Sequence, residues 1–255
     1  MIRYLRFLSG RERTREANRH LGLTLAFVAG AVNAGGYLAV SQFTSHMTGV
    51  LSFIAEHLAA RDARLAATGA ASFAAFLIGA ATSAVLINWA RRKQLQSEYA
   101  LPLLLESCLL MVFGVLGHNL DAYSGHFATL TVLLLCFVMG LQNAIITKLS
   151  GAEIRTTHMT GNATDLGIEL GKLFYWNDAD RADKVLANRE KLGIHASLIA
   201  LFVAGGCLGA LGFKHLGYGL TVPLAFLLLA IAAAPVWDDV ASRVAESSPR
   251  RRSTD

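Results

Sequence analysis

The chain is organised as long uncharged stretches separated by short polar segments. Asp, Glu, Lys and Arg are missing from the stretches 20–55, 65–90, 122–147, 192–213 and 215–237. Each stretch exceeds the roughly 20 residues that an α-helix needs to cross the hydrocarbon core of a bilayer. Helices of soluble proteins normally carry charge on one face, so stretches that are uncharged on every face predict membrane-spanning helices.

The pattern predicts an all-α, polytopic membrane helix bundle. The expected spans are 21–41, 66–90, 100–120, 126–147, 193–213 and 217–237. Two shorter helices, at 47–60 and 159–175, are too short or too polar to cross and are expected to be broken or re-entrant. The bundle thus has about six spanning helices and two short ones.

The distribution of Lys and Arg favours six spans with both termini in the cytoplasm. With six spans, all of the 23 Lys and Arg residues except Arg61, Arg64 and Lys214 lie on the side of the N-terminus. An eight-span alternative, in which both short helices cross, moves the basic residues between 91 and 155 to the outer face. Because cytoplasmic loops are enriched in Lys and Arg, six spans fit better.

The two halves of the membrane region resemble each other. "LAFVAGAVNAGGYL" aligns with "LCFVMGLQNAIITKL", and the motifs "TSHMTG" and "TTHMTG" follow them. The predicted organisation is a basic N-terminal segment at 1–20, a first repeat at 21–120, a second repeat at 121–237 and a basic disordered tail at 238–255. Since each repeat crosses an odd number of times, the second is expected to be inverted relative to the first, as in many secondary transporters.

The two motifs are the candidate solute sites. Polar groups cannot face lipid unpaired, so the motifs are expected to be buried in protein or to line water, at the N-cap and first turn of each short helix. Free N–H groups there favour an anion or a polar solute, and the glycines allow close approach. The candidate binding residues are Asn33, Thr44, Ser45, His46, Thr48, Gly49, Gln142, Asn143, Thr156, Thr157, His158, Thr160, Gly161 and Asn162.

Other interpretations of these polar residues stay open. The motifs can be purely structural caps that interlock the halves, and a metal site formed by His46 and His158 is a weaker option because no further ligands stand at suitable spacing. Glu106 and Asp165 are candidates for proton coupling. Asp165 and Glu169 share a helix face with Lys172, and a surface ion pair is the simpler explanation there.

Composition agrees with a membrane protein and excludes several functions. Hydrophobic residues make up 54% of the chain and charged residues 16%. No motif typical of an enzyme, a P-loop or a dinucleotide-binding site occurs, so we predict no enzymatic activity, no cofactor and no nucleic-acid partner. The three cysteines lie in apolar stretches, where they indicate packing and not a disulfide or metal set. The expected partner is the lipid bilayer, and the oligomeric state stays open.

Residues 21–236, above all "GAVNAGGYLAVSQFTSHMTGVLS" and "GLQNAIITKLSGAEIRTTHMTGNATDLG", resemble the YoaK-like family of bacterial membrane proteins, which is defined by a domain of unknown function. The resemblance implies a multi-helix protein of the bacterial inner membrane and no particular substrate. It also implies an acidic residue in a "G-x-x-D-A" pattern where this chain has Asn33. A pump that protonates that acid is therefore not expected here.

Two functions follow from these observations. The first is a secondary transporter or facilitator of a small polar or anionic solute, in which the halves rock to give alternating access. The second is a non-transporting membrane scaffold or assembly factor, whose repeat is only architectural.

Overall fold

The computed structural model describes residues 2–11, 13–117, 126–151, 154–177 and 183–247, and the regular structure within them is helical. The helices are α1 (Ile2–Ser9), α2 (Arg15–Val40), α3 (Met47–Ala59), α4 (Ala63–Arg92), α5 (Ala100–Gly117), α6 (His126–Ser150), α7 (Met159–Phe174), α8 (Arg189–Leu216) and α9 (Thr221–Ser247).

Polar side chains fix where several helices begin. Thr14 accepts a hydrogen bond from the Ala17 amide before α2, and Asp62 accepts one from the Leu65 amide before α4. Asn188 accepts bonds from two amides in the first turn of α8. These caps satisfy amide groups that have no partner inside the helix, so short polar segments between apolar stretches become helix boundaries.

The protein is a helical membrane bundle. Within the described residues, the stretches long and apolar enough to cross a membrane are Arg15–Val40, Ala63–Arg92, Thr129–Ser150 and Arg189–Ala245. The last contains both α8 and α9, which are joined by a 3-10 turn at Gly217–Leu220. Shorter apolar helices lie at Met47–Ala59 and Ala100–Val115. The all-α fold class predicted from the pattern of uncharged stretches is confirmed.

The helices pack in equivalent pairs drawn from the two halves. Helix α2 packs most extensively against α8, α4 against α6, and α5 against α9. The short helix α3 packs on α4, and α7 packs on α8 in the same way. A smaller contact between α2 and α6 joins the first two pairs.

Glycines allow the paired helices to touch at the backbone. A Cβ atom added at Gly30 of α2 would lie 2.0 Å from the carbonyl oxygen of Phe202 in α8, and one at Gly205 would lie 2.0 Å from that of Phe27. Helices α4 and α6 cross in the same way through Gly79 and Gly140. Close backbone approach of this kind drives helix association in lipid, where the hydrophobic effect between helices is absent.

The N-terminal segment and the end of α9 lie at the same end of the bundle. Arg6 forms an ion pair of 2.6 Å with Asp238, and Ser9 of α1 donates a hydrogen bond to the carbonyl of Ile231 in α9. Asp239 accepts from the amides of Gln96 and Ser97.

The boundaries of the terminal segments differ from the sequence prediction. The segment 1–20 contains α1 and the start of α2, because apolar residues of α1 pack against α9. Helix α9 continues past residue 237 to Ser247, so the first part of the tail predicted to be disordered is helical. The last residues, 248–255, lie outside the described residues.

Candidate functional site

Both histidine motifs stand at the start of a short helix, but their first residues lie before the first helical turn and not within it as predicted. Helices α3 and α7 begin at Met47 and Met159, and the N-cap positions are His46 and His158. Neither histidine makes a side-chain capping bond. The threonines and the serine that precede the histidines lie in the loops before these helices and not in the first turn. In each loop they form hydrogen bonds to an asparagine of the previous helix.

In the first half that asparagine is Asn33 of α2. Its side-chain oxygen accepts hydrogen bonds from the amides of Thr44 and Ser45, both at 3.2 Å, and from the Ser45 hydroxyl at 3.0 Å. Asn33 itself is buried. Since buried backbone amides require partners, this one acceptor holds the loop inside the bundle.

In the second half the equivalent residue is Asn143 of α6. Its side-chain oxygen accepts a hydrogen bond of 2.6 Å from the Thr157 hydroxyl, and its amide nitrogen donates to the carbonyl of Met139. The neighbouring Gln142 is buried and donates to the carbonyl of Leu25, which links α6 to α2. The polar residues predicted on these helices thus connect helices and loops.

One threonine in each motif is buried without a hydrogen-bond partner. Thr44 and Thr156 are fully buried, and the hydroxyl oxygens of both lack a partner among the described residues. Most buried polar side chains in proteins are paired, and an unpaired group costs about 1–3 kcal/mol. The same unpaired hydroxyl at equivalent positions of both halves is therefore a feature that stability alone does not explain.

The motif glycines make room for the motif histidines. A Cβ atom at Gly49 would lie 2.2 Å from Cδ2 of His46, and one at Gly161 would lie 2.1 Å from Nδ1 of His158. Each imidazole folds back over the first turn of its own helix. The protein atoms nearest to these Cβ positions are therefore those of the motif's own histidine, and not those of a crossing helix.

The two motifs line separate pockets. The first-half pocket, of about 320 Å³, is lined by His46 and Gly49 together with Tyr37, Val40, Ser41, Gln42, Phe43, Val50 and Phe53. The second-half pocket, of about 430 Å³, is lined by Arg155, His158, Thr160, Gly161, Asn162, Thr164 and Asp165. Thr48, by contrast, is exposed on α3.

The shared centre and the two-histidine metal site are therefore not formed in this structure. His46 and His158 belong to different pockets, because α3 packs on α4 and α7 packs on α8. Within the described part of the chain, no three His, Cys, Asp or Glu side chains come together as a metal site would require.

The acidic residues of α7 have different surroundings. Glu169 is buried, forms an ion pair of 2.9 Å with Lys172 and accepts a hydrogen bond from the Asn188 amide. The hydrogen bond from Lys172, followed by that from Asn188, holds the pKa of Glu169 below its usual range. Asp165 instead projects into the second-half pocket, with more than half of its side chain exposed.

His195 is a site residue that sequence reasoning missed. It is buried in the second turn of α8, where its Nδ1 lies 3.2 Å from the Asn162 side-chain oxygen and its Nε2 lies 3.9 Å from Asp165. A single histidine in an otherwise apolar stretch gave no pattern to recognise. Only the packing of α7 on α8 brings it to the motif.

Glu106 is fully buried in α5, away from both pockets. Neither of its carboxylate oxygens has a hydrogen-bond partner among the described residues. The adjacent Ser107 donates to the carbonyl of Ala225, which places this part of α5 against α9. An unpaired carboxyl group in a spanning helix is costly, and such residues commonly mark ion or proton pathways.

A family model matches residues 21–234, which is most of the chain. Comparisons with curated proteins and with solved structures give no match. The matched region begins in α2 and ends in α9, so it contains both motifs and both pockets. The chain therefore belongs to the DUF1275 family, which is described as "Protein of unknown function".

Proposed function

We propose that this protein is a secondary transporter or facilitator of a small polar or anionic solute, built as an inverted repeat in the bacterial inner membrane with both termini in the cytoplasm. The equivalent helix pairs and glycine crossings support the repeat. The contacts of Arg6 with Asp238 and of Gln96 with Asp239 support termini on one side. The excess of Lys and Arg on that side supports a cytoplasmic assignment.

The observation that carries the proposal is the pair of buried, unpaired hydroxyls of Thr44 and Thr156. A loop that served only to close the fold would be expected to satisfy its buried polar atoms. The equivalent unpaired atoms instead mark the same place in each half, next in sequence to a residue that lines a pocket, Phe43 in the first half and Arg155 in the second. Both hydroxyls are enclosed by protein, and the proposed mechanism exposes them when the helices move. A polar solute that enters from either side can supply the missing partner.

The packing offers a way for helix pairs drawn from both repeats to move relative to each other. The α2–α8 and α4–α6 pairs each contain one helix from each repeat and are held tightly by glycine contacts. They meet through the smaller α2–α6 contact, where Gln142 bonds to Leu25. In the proposed mechanism the pairs rock as rigid units about this contact, and Glu106 takes up or releases a proton between the two arrangements.

A non-transporting scaffold or assembly factor is the second candidate. The hydrogen bonds of each motif lie inside its own half, which favours this candidate. Among the described residues, the Asn33 and Asn143 side chains bond only to their own loops and to neighbouring backbone. In that case the pockets are by-products of the helix break.

Uptake by purified protein in proteoliposomes separates the two candidates. A panel of small anions and polar metabolites is presented with and without a pH gradient, alongside a thermal-shift screen with the same compounds. The double variant His46→Ala with His158→Ala is expected to lose uptake, whereas His215→Ala, which removes an exposed histidine at the end of α8, is expected to retain it. Empty uptake and binding screens, with the double variant changed only in stability, would refute transport.

A further inference from the structure

The second-half pocket contains opposite charges at one opening. Arg155 and Asp165 both line it, together with His158 and the hydroxyl-bearing Thr160 and Thr164. Its volume of about 430 Å³ is large enough for a molecule the size of an amino acid. Small-molecule sites typically combine such a concave surface with a few convergent polar groups.

Among the described residues, Arg155 and Asp165 do not form an ion pair with each other, and neither forms a close ion pair elsewhere in the fold. Among the described residues, no ion pair is formed by the Arg155 guanidinium, and the Asp165 carboxylate lies 3.9 Å from the nearest partner, Nε2 of His195. The Arg155 carbonyl, in contrast, is bound by the Asn162 side chain, so the backbone that carries the arginine is fixed. The pocket thus presents one cationic group, carried by a fixed segment of backbone, and one anionic group.

The first-half pocket shows that the fold does not require these charges. At the equivalent positions it has Phe43, Val50 and Phe53 where the second half has Arg155, Asn162 and Asp165, while the histidine and glycine of the motif are the same in both. The Phe43 ring stacks on Tyr37 with centroids 4.4 Å apart. Since the same loop and helix form with apolar residues, the charged set of the second half is surplus to folding.

We propose that the Arg155–Asp165 pocket binds a small zwitterionic solute, with its anionic group on Arg155 and its cationic group on Asp165. The amides in the first turn of α7, which lack a side-chain cap, add to the attraction of the anionic group. The inference rests on the proposed function and narrows its solute class. It also assigns recognition to the second half, while the aromatic first-half pocket does not discriminate by charge.

Binding to purified full-length protein tests this assignment. The probes are the zwitterions L-serine and glycine betaine, the anions lactate and phosphate, and the cation ethanolamine, each titrated by calorimetry. At least one zwitterion is expected to bind, and Arg155→Gln and Asp165→Asn are each expected to weaken its binding by about tenfold or more, equivalent to about 1.4 kcal/mol. The matched controls Arg64→Gln and Glu56→Gln remove the same charges from exposed positions of α4 and α3, and are expected to leave the affinity unchanged.

The outcomes separate this inference from the proposed function. Binding of an anion alone, with an affinity that Asp165→Asn leaves unchanged, overturns the zwitterion assignment but keeps transport of an anionic solute. The same holds if both zwitterions fail to bind while another compound is taken up by proteoliposomes. If no probe binds and no uptake occurs, both are refuted. Thermal unfolding of each variant shows whether a lost affinity reflects a lost fold.

Discussion

Gly30 in α2 and Gly140 in α6 occupy equivalent crossings: a Cβ atom on either would lie 2.0 Å from a carbonyl oxygen, that of Phe202 for the first and that of Phe76 for the second. The obstructing atoms belong to backbone, which cannot rotate away as a side chain can. Each glycine therefore sets the distance between two spanning helices.

Replacing either glycine should separate a helix pair. We expect Gly30→Ala and Gly140→Ala each to lower the free energy of unfolding by about 1–3 kcal/mol, because overpacking forces the backbones apart. Thermal unfolding in detergent, followed by circular dichroism, measures the effect. Gly167→Ala in α7 is the matched control, since nothing lies within 4 Å of its Cβ position. Equal stability of all three variants would contradict the close crossings.

The two motif asparagines should respond differently to aspartate. Among the described residues, the hydrogen bonds of the Asn33 side chain are all accepted by its oxygen, so Asn33→Asp is expected to keep the loop in place. Asn33→Ala is expected to lower the free energy of unfolding by about 1–3 kcal/mol. Asn143 also donates to the carbonyl of Met139, so Asn143→Asp sets a carboxylate against that oxygen. We expect thermal unfolding to show Asn143→Asp to be the less stable of the two aspartate variants; the reverse order would refute these roles.

Glu106 should be dispensable for stability and required for coupling. Glu106→Leu removes a buried, unpaired carboxyl. It is expected to leave the free energy of unfolding unchanged or to raise it by up to about 1–3 kcal/mol, with the unfolding temperature following in the same direction. Its neighbour provides the contrast: Ser107→Ala removes a satisfied hydroxyl and is expected to lower stability by about 1 kcal/mol. Uptake driven by a pH gradient is expected to disappear in Glu106→Leu alone. Strong destabilisation of that variant would instead indicate a structural role.

The ion pair of Glu169 predicts a loss of stability in acid. Lys172 and the Asn188 amide depress the pKa of Glu169 in the folded protein. The stabilisation is therefore complete above the unfolded-state pKa of about 4.3 and is lost as the pH falls through the lower folded value. The unfolding temperature of Glu169→Gln is expected to vary less than that of the wild type over this acidic range. Glu56→Gln, at an exposed position of α3, should keep the wild-type dependence; an unchanged dependence in Glu169→Gln would refute the pair's contribution.

The sequence predicted the polar partners of the motifs only in part. Asn33 and Asn143 were recognisable because amides stand out in apolar stretches and recur with the same spacing. The residues that bond to them, such as Thr44 and Thr157, could not be predicted as their partners. The sequence does not specify whether the loop after α2 folds back to Asn33 or leads away from the bundle. The contact between Gly49 and His46 was not predicted for a similar reason: the side-chain direction of His46 depends on the local backbone, which the residue types do not specify.

What the sequence determined by itself is the helical bundle, its long uncharged stretches and the recurrence of the histidine motif, because these depend on hydrophobicity and spacing along the chain. What only the tertiary structure decided is which helices meet. The pairing of α2 with α8 and of α7 with α8 leaves the two histidine motifs in separate pockets and brings His195 beside Asp165. Such contacts join residues far apart in sequence, and they are set by which glycine and side-chain surfaces fit together across the bundle.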